Sequence, residues 1–166
     1  MAEQTQASTF DIRKIYIRDA SVECPNSPEI FLQDLAKPEV SIDASIGTKR
    51  LEQEGYYEVV LSMTVTSKMA EKTAFLVEIQ QAGVFHIDGI PASDLPLALE
   101  IACPTVLLPF AREAISDLVG KAGFPQLLLS PINFEGLFQQ KLKAEAKAKA
   151  AKEAAKEKIA SEDKTH

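Results

Sequence analysis

Alternation of apolar and polar positions predicts four β-strands in the first half of the chain. Residues 10–17 form the first candidate, rich in β-branched and aromatic side chains, and residues 40–46 form the second. Residues 57–66 show the clearest period of two, and a turn at 67–72 precedes a fourth strand. Because no helical spacing separates these runs, they predict an antiparallel sheet with one apolar face and one mixed face.

The fourth strand is predicted to have two chemically different faces. Side chains of successive residues in a strand point to opposite faces, so residues of the same parity share a face. Phe75, Val77 and Ile79 lie on the first face, and Ala74, Leu76, Glu78 and Gln80 lie on the second. Gly83 is expected to mark a bulge or a bend.

Helical spacing replaces the strand pattern after the sheet. Asp94 is a possible cap for a short turn that Pro96 and Pro104 limit, and Gly120 suits the end of the first helix. Asn133 is a strong N-cap for the second helix. The fold class that follows is α+β, with a four-stranded antiparallel sheet followed by two helices. The predicted buried face of the first helix consists of Leu107, Ala111, Ala114, Ile115 and Leu118.

The segment between the two helical patterns, residues 124–134, is unusually apolar for a loop. Connecting segments normally run over the surface and are polar. A loop of this composition must be buried in an oligomer or stay available for apolar partners. It therefore predicts a binding protein whose ligand is apolar polypeptide. The side chains concerned are Phe124, Leu127, Leu128, Leu129 and Ile132.

Composition divides the chain into three parts. Residues 1–9 are polar and are expected to be disordered. Residues 10–142 carry the strand and helix patterns of one domain. Residues 143–166 are mostly Ala, Lys and Glu, which favour a helix but offer little surface to bury, so we expect a helix that frays into a disordered end.

Charge is distributed unevenly along the chain. The net charge is −6, but residues 141–166 hold eight Lys against five acidic residues, which leaves −9 for residues 1–140. An acidic body argues against nucleic-acid binding, which needs a basic surface, and favours cationic partners. The N-terminus lacks a secretory pattern, and residues 90–111 contain four prolines and two carboxylates. We therefore expect a cytoplasmic protein without direct membrane insertion.

The sequence offers few groups for catalysis or metal binding. The seven glycines form no nucleotide-binding motif, and the histidines, His86 and His166, with the two cysteines make no convincing zinc site. We therefore expect no enzyme activity, cofactor or metal. A small thiol enzyme centred on Cys103 is the rival hypothesis, because a helix N-terminus lowers a thiol pKa. The alternative of a buried apolar cysteine is favoured.

Five segments carry a resemblance to a known family. They are PEVSID at 38–43, YEVVLSMTVT at 57–66, TAFLVEIQQAGVFHIDGI at 73–90, CPTVLLPFARE at 103–113 and FPQLLLSPINFEGLF at 124–138. In this order the segments resemble the SecB protein-export chaperones, from about residue 10 to residue 142.

The resemblance implies an assembly and a mechanism. SecB-like chains form a homotetramer that is a dimer of dimers. They hold unfolded precursor proteins in the cytoplasm without ATP and deliver them to the SecA translocation ATPase. A SecB-like chaperone dedicated to one partner, such as an antitoxin, is an open alternative. No nucleic-acid partner is implied.

The resemblance also implies residue roles. A client-binding groove would be formed by Val40, Ile42, Ala44, Phe124, Leu127 and Leu129. Assembly and client binding would involve Val77, Ile79 and Gln81. SecA would bind Asp19, Glu23, Leu76 and Glu78. The chain departs from the family pattern at Leu35, where a tryptophan is common, and at Ala44, where leucine is usual.

Overall fold

The computed structural model of the chain describes residues 7–33 and 37–162, so Leu35 lies outside the described residues. Four antiparallel strands form one sheet in the order β1-β4-β3-β2. The strands are β1 (Thr9–Glu23), β2 (Glu39–Arg50), β3 (Tyr56–Met69) and β4 (Lys72–Asp88). The predicted four-stranded sheet is thus confirmed, although every strand is longer than its sequence pattern indicated.

The β3–β4 connection is tighter than the six-residue turn that the sequence predicted. Two residues, Ala70 and Glu71, make the turn, and both have positive φ, at 47° and 67°. Two-residue hairpins favour this backbone because its twist matches that of the flanking strands. Neither residue is glycine, so the composition gave no sign of the tight turn.

Helix α1 (Leu95–Lys121) covers one face of the sheet, here called the helix-side face, and leaves the opposite, open face uncovered. The helix begins eight residues before Cys103, and an i→i+5 segment at Ala98–Ala102 carries it up to Pro104. The expectation that Pro104 would limit the helical turn was therefore wrong. The predicted buried positions of α1 are confirmed at Leu107, Ala111, Ala114 and Ile115, whereas Leu118 is partly exposed.

The core lies between α1 and the two central strands. Odd-numbered residues of β4, from Phe75 to Ile87, and of β3, from Val59 to Ser67, are buried on the helix-side face. Gly83 belongs to this face and pairs in register with Ile15 and Val59, so the bulge expected there is absent. A Cβ at Gly83 would lie 2.7 Å from the Phe85 ring. The glycine therefore permits close packing rather than a bend.

Helix α1 ends one turn later than the sequence indicated. Gly123, not Gly120, adopts the left-handed conformation, with φ of 90°. The Phe124 N–H donates to the Val119 carbonyl at 3.2 Å, and the Gly123 N–H donates to the Gly120 carbonyl at 3.0 Å. These two bonds form a Schellman motif, which satisfies the last carbonyls of the helix and turns the chain at Phe124.

The chain divides into two compact units, Met1–Ile132 and Asn133–His166. Helix α2 (Phe134–Glu162) runs through the Ala/Lys-rich segment. The Gly136 N–H donates to Asn133 Oδ1 at 3.0 Å, so the N-cap predicted at Asn133 is confirmed. Residues 1–6 and 163–166, which belong to the ends expected to be disordered, lie outside the described residues.

Candidate functional site: two faces of one sheet

Helix α1 covers only the middle of the helix-side face. It packs mainly on β4 and β3, and five apolar side chains of the two outer strands stay 39–51% exposed. Helix α1 is long and apolar enough to cross a membrane, but the core helix of a globular protein can have the same length and composition. In α1, 28% of the most apolar 18-residue window is buried. The chain thus shows apolar surface at both sheet edges: Phe10, Ile12 and Ile17 on β1, and Val40 and Ile42 on β2.

The predicted groove residues of β2 lie together on the helix-side face. Val40 pairs with Ser67, which pairs with Phe75, and the next row joins Ile42 to Val65. Side chains that pair directly across an antiparallel sheet share a face. Ala44 follows two residues later on the same face and is partly exposed. The β2 part of the proposed groove is therefore an apolar strip along an open sheet edge.

Phe124 reaches the same strip through an aromatic cluster. Its ring centroid lies 5.1 Å from that of Phe75 and 5.0 Å from that of Phe31. Phe75 belongs to the cross-strand row of Val40 and Ser67, so Phe124 lies at the row that contains the first residue of the apolar strip. Phe31 and Leu32 belong to a short 3-10 helix, Glu29–Leu32, and remain 47% and 84% exposed. No element was predicted from the sequence in this stretch, although its apolar run between prolines was a signal.

Leu127 and Leu129 lie elsewhere on the loop. Together with Pro109, Arg112 and Ser116 of α1, they line a surface pocket of about 360 Å³. Leu129 is buried and Leu128 is 85% exposed. The structure therefore places these two predicted groove residues against α1, and it offers Leu128 as the most exposed apolar side chain of the loop.

The four residues predicted to bind SecA lie together on the open face. Glu23 pairs directly with Leu76, Ser21 pairs with Glu78, and Asp19 pairs with Gln80. Asp19 and Glu23 are therefore diagonal neighbours of Glu78, at about 7–8 Å between Cα atoms. All three carboxylates are exposed and Leu76 is partly exposed among them.

Asp19, Glu23 and Glu78 form an acidic row, and one further carboxylate that the sequence did not predict continues it. Glu78 pairs with Thr64, and Thr64 pairs with Asp43 of β2. Asp43 is exposed and lies on the open face at the far edge of the sheet. Strand alternation alone places Asp43 on the face opposite to Ile42. The register between the strands is needed to place it in the row of Glu78.

The three residues assigned to assembly and client binding are part of the core. Val77, Ile79 and Gln81 are all buried on the helix-side face. Gln81 Nε2 donates to the Tyr16 carbonyl at 3.0 Å, which ties β4 to β1. An effect of these residues on assembly would therefore act through the packing of α1 on the sheet.

Cys103 has the environment of a structural cysteine. It is buried, and burial raises the pKa of its thiol to about 12. The helical turns from Leu95 to Ala102 precede it, so it does not stand at the free N-terminus on which the thiol-enzyme hypothesis relied. His86 stacks on Tyr56 at 4.7 Å. Within the described residues, no group of three His, Cys, Asp or Glu side chains could hold a metal ion.

The fold and these surfaces define a class, namely a small α+β binding protein with uncovered apolar edges and an acidic open face. The family model described as preprotein translocase subunit SecB matches residues 3–145. The chain therefore belongs to the SecB family and is a protein-export chaperone, as the resemblance indicated.

Sequence relatives agree with this assignment. The chain is 50% identical over 150 residues to the protein-export protein SecB of Methylobacillus flagellatus, covering 90% of this chain and 94% of that protein. It is 49% identical to SecB of Dechloromonas aromatica, covering 89% of this chain and 96% of that protein. For SecB of Neisseria meningitidis the identity is 47%, with 88% and 98% covered.

A solved structure supports the fold. The SecB-like chaperone of Mycobacterium tuberculosis, in complex with a peptide from an antitoxin, aligns with a TM-score of 0.58. The alignment covers 75% of this chain and 91% of that chain at 16% identity, so the likeness concerns the fold alone. The relatives named as export proteins favour the export role over the antitoxin-dedicated alternative.

Proposed function

We propose that this chain is a holdase that binds unfolded precursor proteins in the bacterial cytoplasm without nucleotide and passes them to the SecA ATPase. The observation that carries the proposal is the division of the sheet into two faces. Apolar side chains are left uncovered on the helix-side face, and the open face carries the acidic row. Client capture and handover would therefore use opposite faces and could occur together.

Client capture would use the apolar strip of β2 together with the aromatic cluster and the loop. A well-buried Leu or Phe of a client contributes roughly 1.5–3 kcal/mol before ordering costs. One contact of this size is weak, and several contacts on one long client supply avidity. Residues 10–142 would form this chaperone body, and residues 143–166 would form an appended tail.

Assembly into a dimer of dimers is the first testable part of the proposal. Apolar residues on β1 and an unpaired β1 edge favour pairing with a second copy, because exposed strand edges pair readily with other strands. A closed homotetramer would have a mass of about 72 kDa, four times that of one chain. Light scattering at micromolar concentration should give this mass. A monomer under those conditions would contradict the proposed assembly.

Docking of SecA on the open face is the second part. Asp19, Glu23 and Glu78 would attract a cationic surface, and Leu76 would supply an apolar anchor among them. Interfaces of this kind lose affinity as salt screens the charges. The acidic row and the apolar strip of β2 lie on opposite faces of the sheet, so SecA docking need not displace the client.

Substitution of Glu78 by Lys tests the docking face. Glu78 is exposed and directly opposite Ser21, so the fold should tolerate Glu78→Lys, whereas SecA affinity should fall by about tenfold through charge repulsion. Calorimetry with SecA measures the loss, and light scattering with a client-binding assay serves as the control. Unchanged SecA affinity in an intact tetramer would rule out this docking face.

A further inference from the structure

A hollow in the open face lies beside the acidic row. It has a volume of about 370 Å³ and is lined by residues of all four strands. Short side chains form its floor, and a Cβ at Gly47 would meet nothing within 4 Å. Arg18 and Lys49 are the two cationic residues of its lining. The floor and walls include Ser45, Gly47, Glu58, Val60, Ser62 and Gln80.

The only carboxylate in the hollow's lining, Glu58, is already engaged from one side. Its Oε1 accepts a hydrogen bond from the Tyr16 hydroxyl, and its Oε2 lies 3.4 Å from Arg18 Nη1. The hydrogen bond to Glu58, followed by burial, raises the pKa of Tyr16, so the phenol stays a donor at neutral pH. Both carboxylate oxygens of Glu58 thus face the β1 side of the hollow.

Lys49 is left without an anionic partner. It pairs in register with Glu58 across β2 and β3, yet its amine makes no ion pair or hydrogen bond with any residue in 7–33 or 37–156. Arg18 is 54% exposed and uses one nitrogen on Glu58, at the long distance given above. The hollow therefore holds two cations and one anion, and the guanidinium keeps free donors for a second carboxylate.

We propose that this hollow receives an acidic side chain of the protein that docks on the open face. The inference rests on the proposed SecA docking and specifies which charges SecA must carry at the interface. Glu78 pairs with Thr64, and Glu58 lies six residues further along β3, which is about 20 Å in a strand. The partner must then present a basic group and an acidic group about 20 Å apart. A surface that is only basic would match one half of the face and be repelled by the other.

The neighbouring residues Lys49 and Arg50 provide a matched test. Lys49 points to the open face, whereas Arg50 pairs with Tyr57 on the helix-side face and lines a different pocket. Lys49→Glu and Arg50→Glu therefore make the same charge change one residue apart. We expect Lys49→Glu to weaken SecA binding by about tenfold and Arg50→Glu by less than twofold, with Lys49→Arg close to wild type.

Calorimetry with the SecA of the source organism measures these affinities, and light scattering confirms that each variant keeps its assembly. Equal affinity of Lys49→Glu and wild type would overturn the inference, as would equal losses in Lys49→Glu and Arg50→Glu. If Glu78→Lys weakens binding while Lys49→Glu does not, the inference fails and the docking face stands. If Glu78→Lys has no effect, the docking face fails and the inference falls with it.

Discussion

Val77→Asp is expected to destabilise the fold of this chain severely. Val77 is fully buried between β3, β1 and α1, where it pairs with Val65 and Val22 on the helix-side face. The change removes a buried apolar side chain and leaves a carboxylate without a partner in the core. The expected loss is about 4 kcal/mol or more, a large part of the 5–15 kcal/mol by which domains are stable. Chemical denaturation followed by circular dichroism measures it.

Leu76→Asp is the control for this prediction. Leu76 is the preceding residue, but it lies on the open face, where it is partly exposed beside Glu23. The same carboxylate there stays hydrated, and the loss of stability should be below about 1 kcal/mol. Equal losses in the two variants would contradict the two-faced sheet. The comparison also decides how Val77 influences assembly, because a variant that does not fold cannot form a tetramer.

Ile42→Asp is expected to have the largest effect on client capture. Ile42 is 43% exposed on the apolar strip of β2, so its substitution should cost the fold little. A client side chain that packs there would lose apolar area and meet a charge that must give up hydration. A loss of about 1.4 kcal/mol per site lowers affinity tenfold, and repeated sites would enlarge it. Binding of a fluorescently labelled unfolded precursor measures the change.

Ser41→Asp is the matched control for Ile42→Asp. It introduces the same carboxylate one residue earlier, on the open face, where Ser41 pairs with Thr66. Client affinity should stay within about twofold of wild type in this variant. Capture that is unchanged in Ile42→Asp while the tetramer persists would exclude the β2 strip from client binding.

The period of two predicted the sheet well because strand alternation is a local property of the sequence. The odd residues of β4 from Phe75 to Ile87 are buried, and the pattern placed Leu76 and Glu78 on the more exposed face, although Ala74 and Ala82 of that face are also buried. Asp43 could not be assigned to the acidic row in the same way. Its position depends on the register between β2, β3 and β4, which links residues that are far apart in sequence.

Helix ends and turns were less predictable for physical reasons. Proline usually interrupts a helix, but the wide i→i+5 turn before Cys103 lets α1 run through Pro104. Ala70 and Glu71 adopt a turn that normally favours glycine or asparagine, which shows the sheet overriding local preference. The role of Gly83 was predicted wrongly, because a glycine is needed there for the close approach of Phe85 and Leu107, which is a tertiary contact.

The proposed client-binding groove was only partly predictable. The resemblance supplied its residues, and the structure joins Val40, Ile42 and Phe124 through Phe75. Leu127 and Leu129 lie against α1. Apolar content in a loop signals binding, but it does not tell which neighbouring element the loop will contact. The direction of this loop is set by the Schellman motif, which turns the chain at Phe124.

The proposed activity of this chain is the binding of unfolded precursors without nucleotide. Its most direct test is the refolding rate of a chemically denatured precursor, diluted into buffer with and without the chaperone. We expect that an equimolar amount of tetramer, without ATP, suppresses refolding and leaves the precursor in a complex that gel filtration recovers. Refolding at the unassisted rate, with no complex recovered, would contradict it.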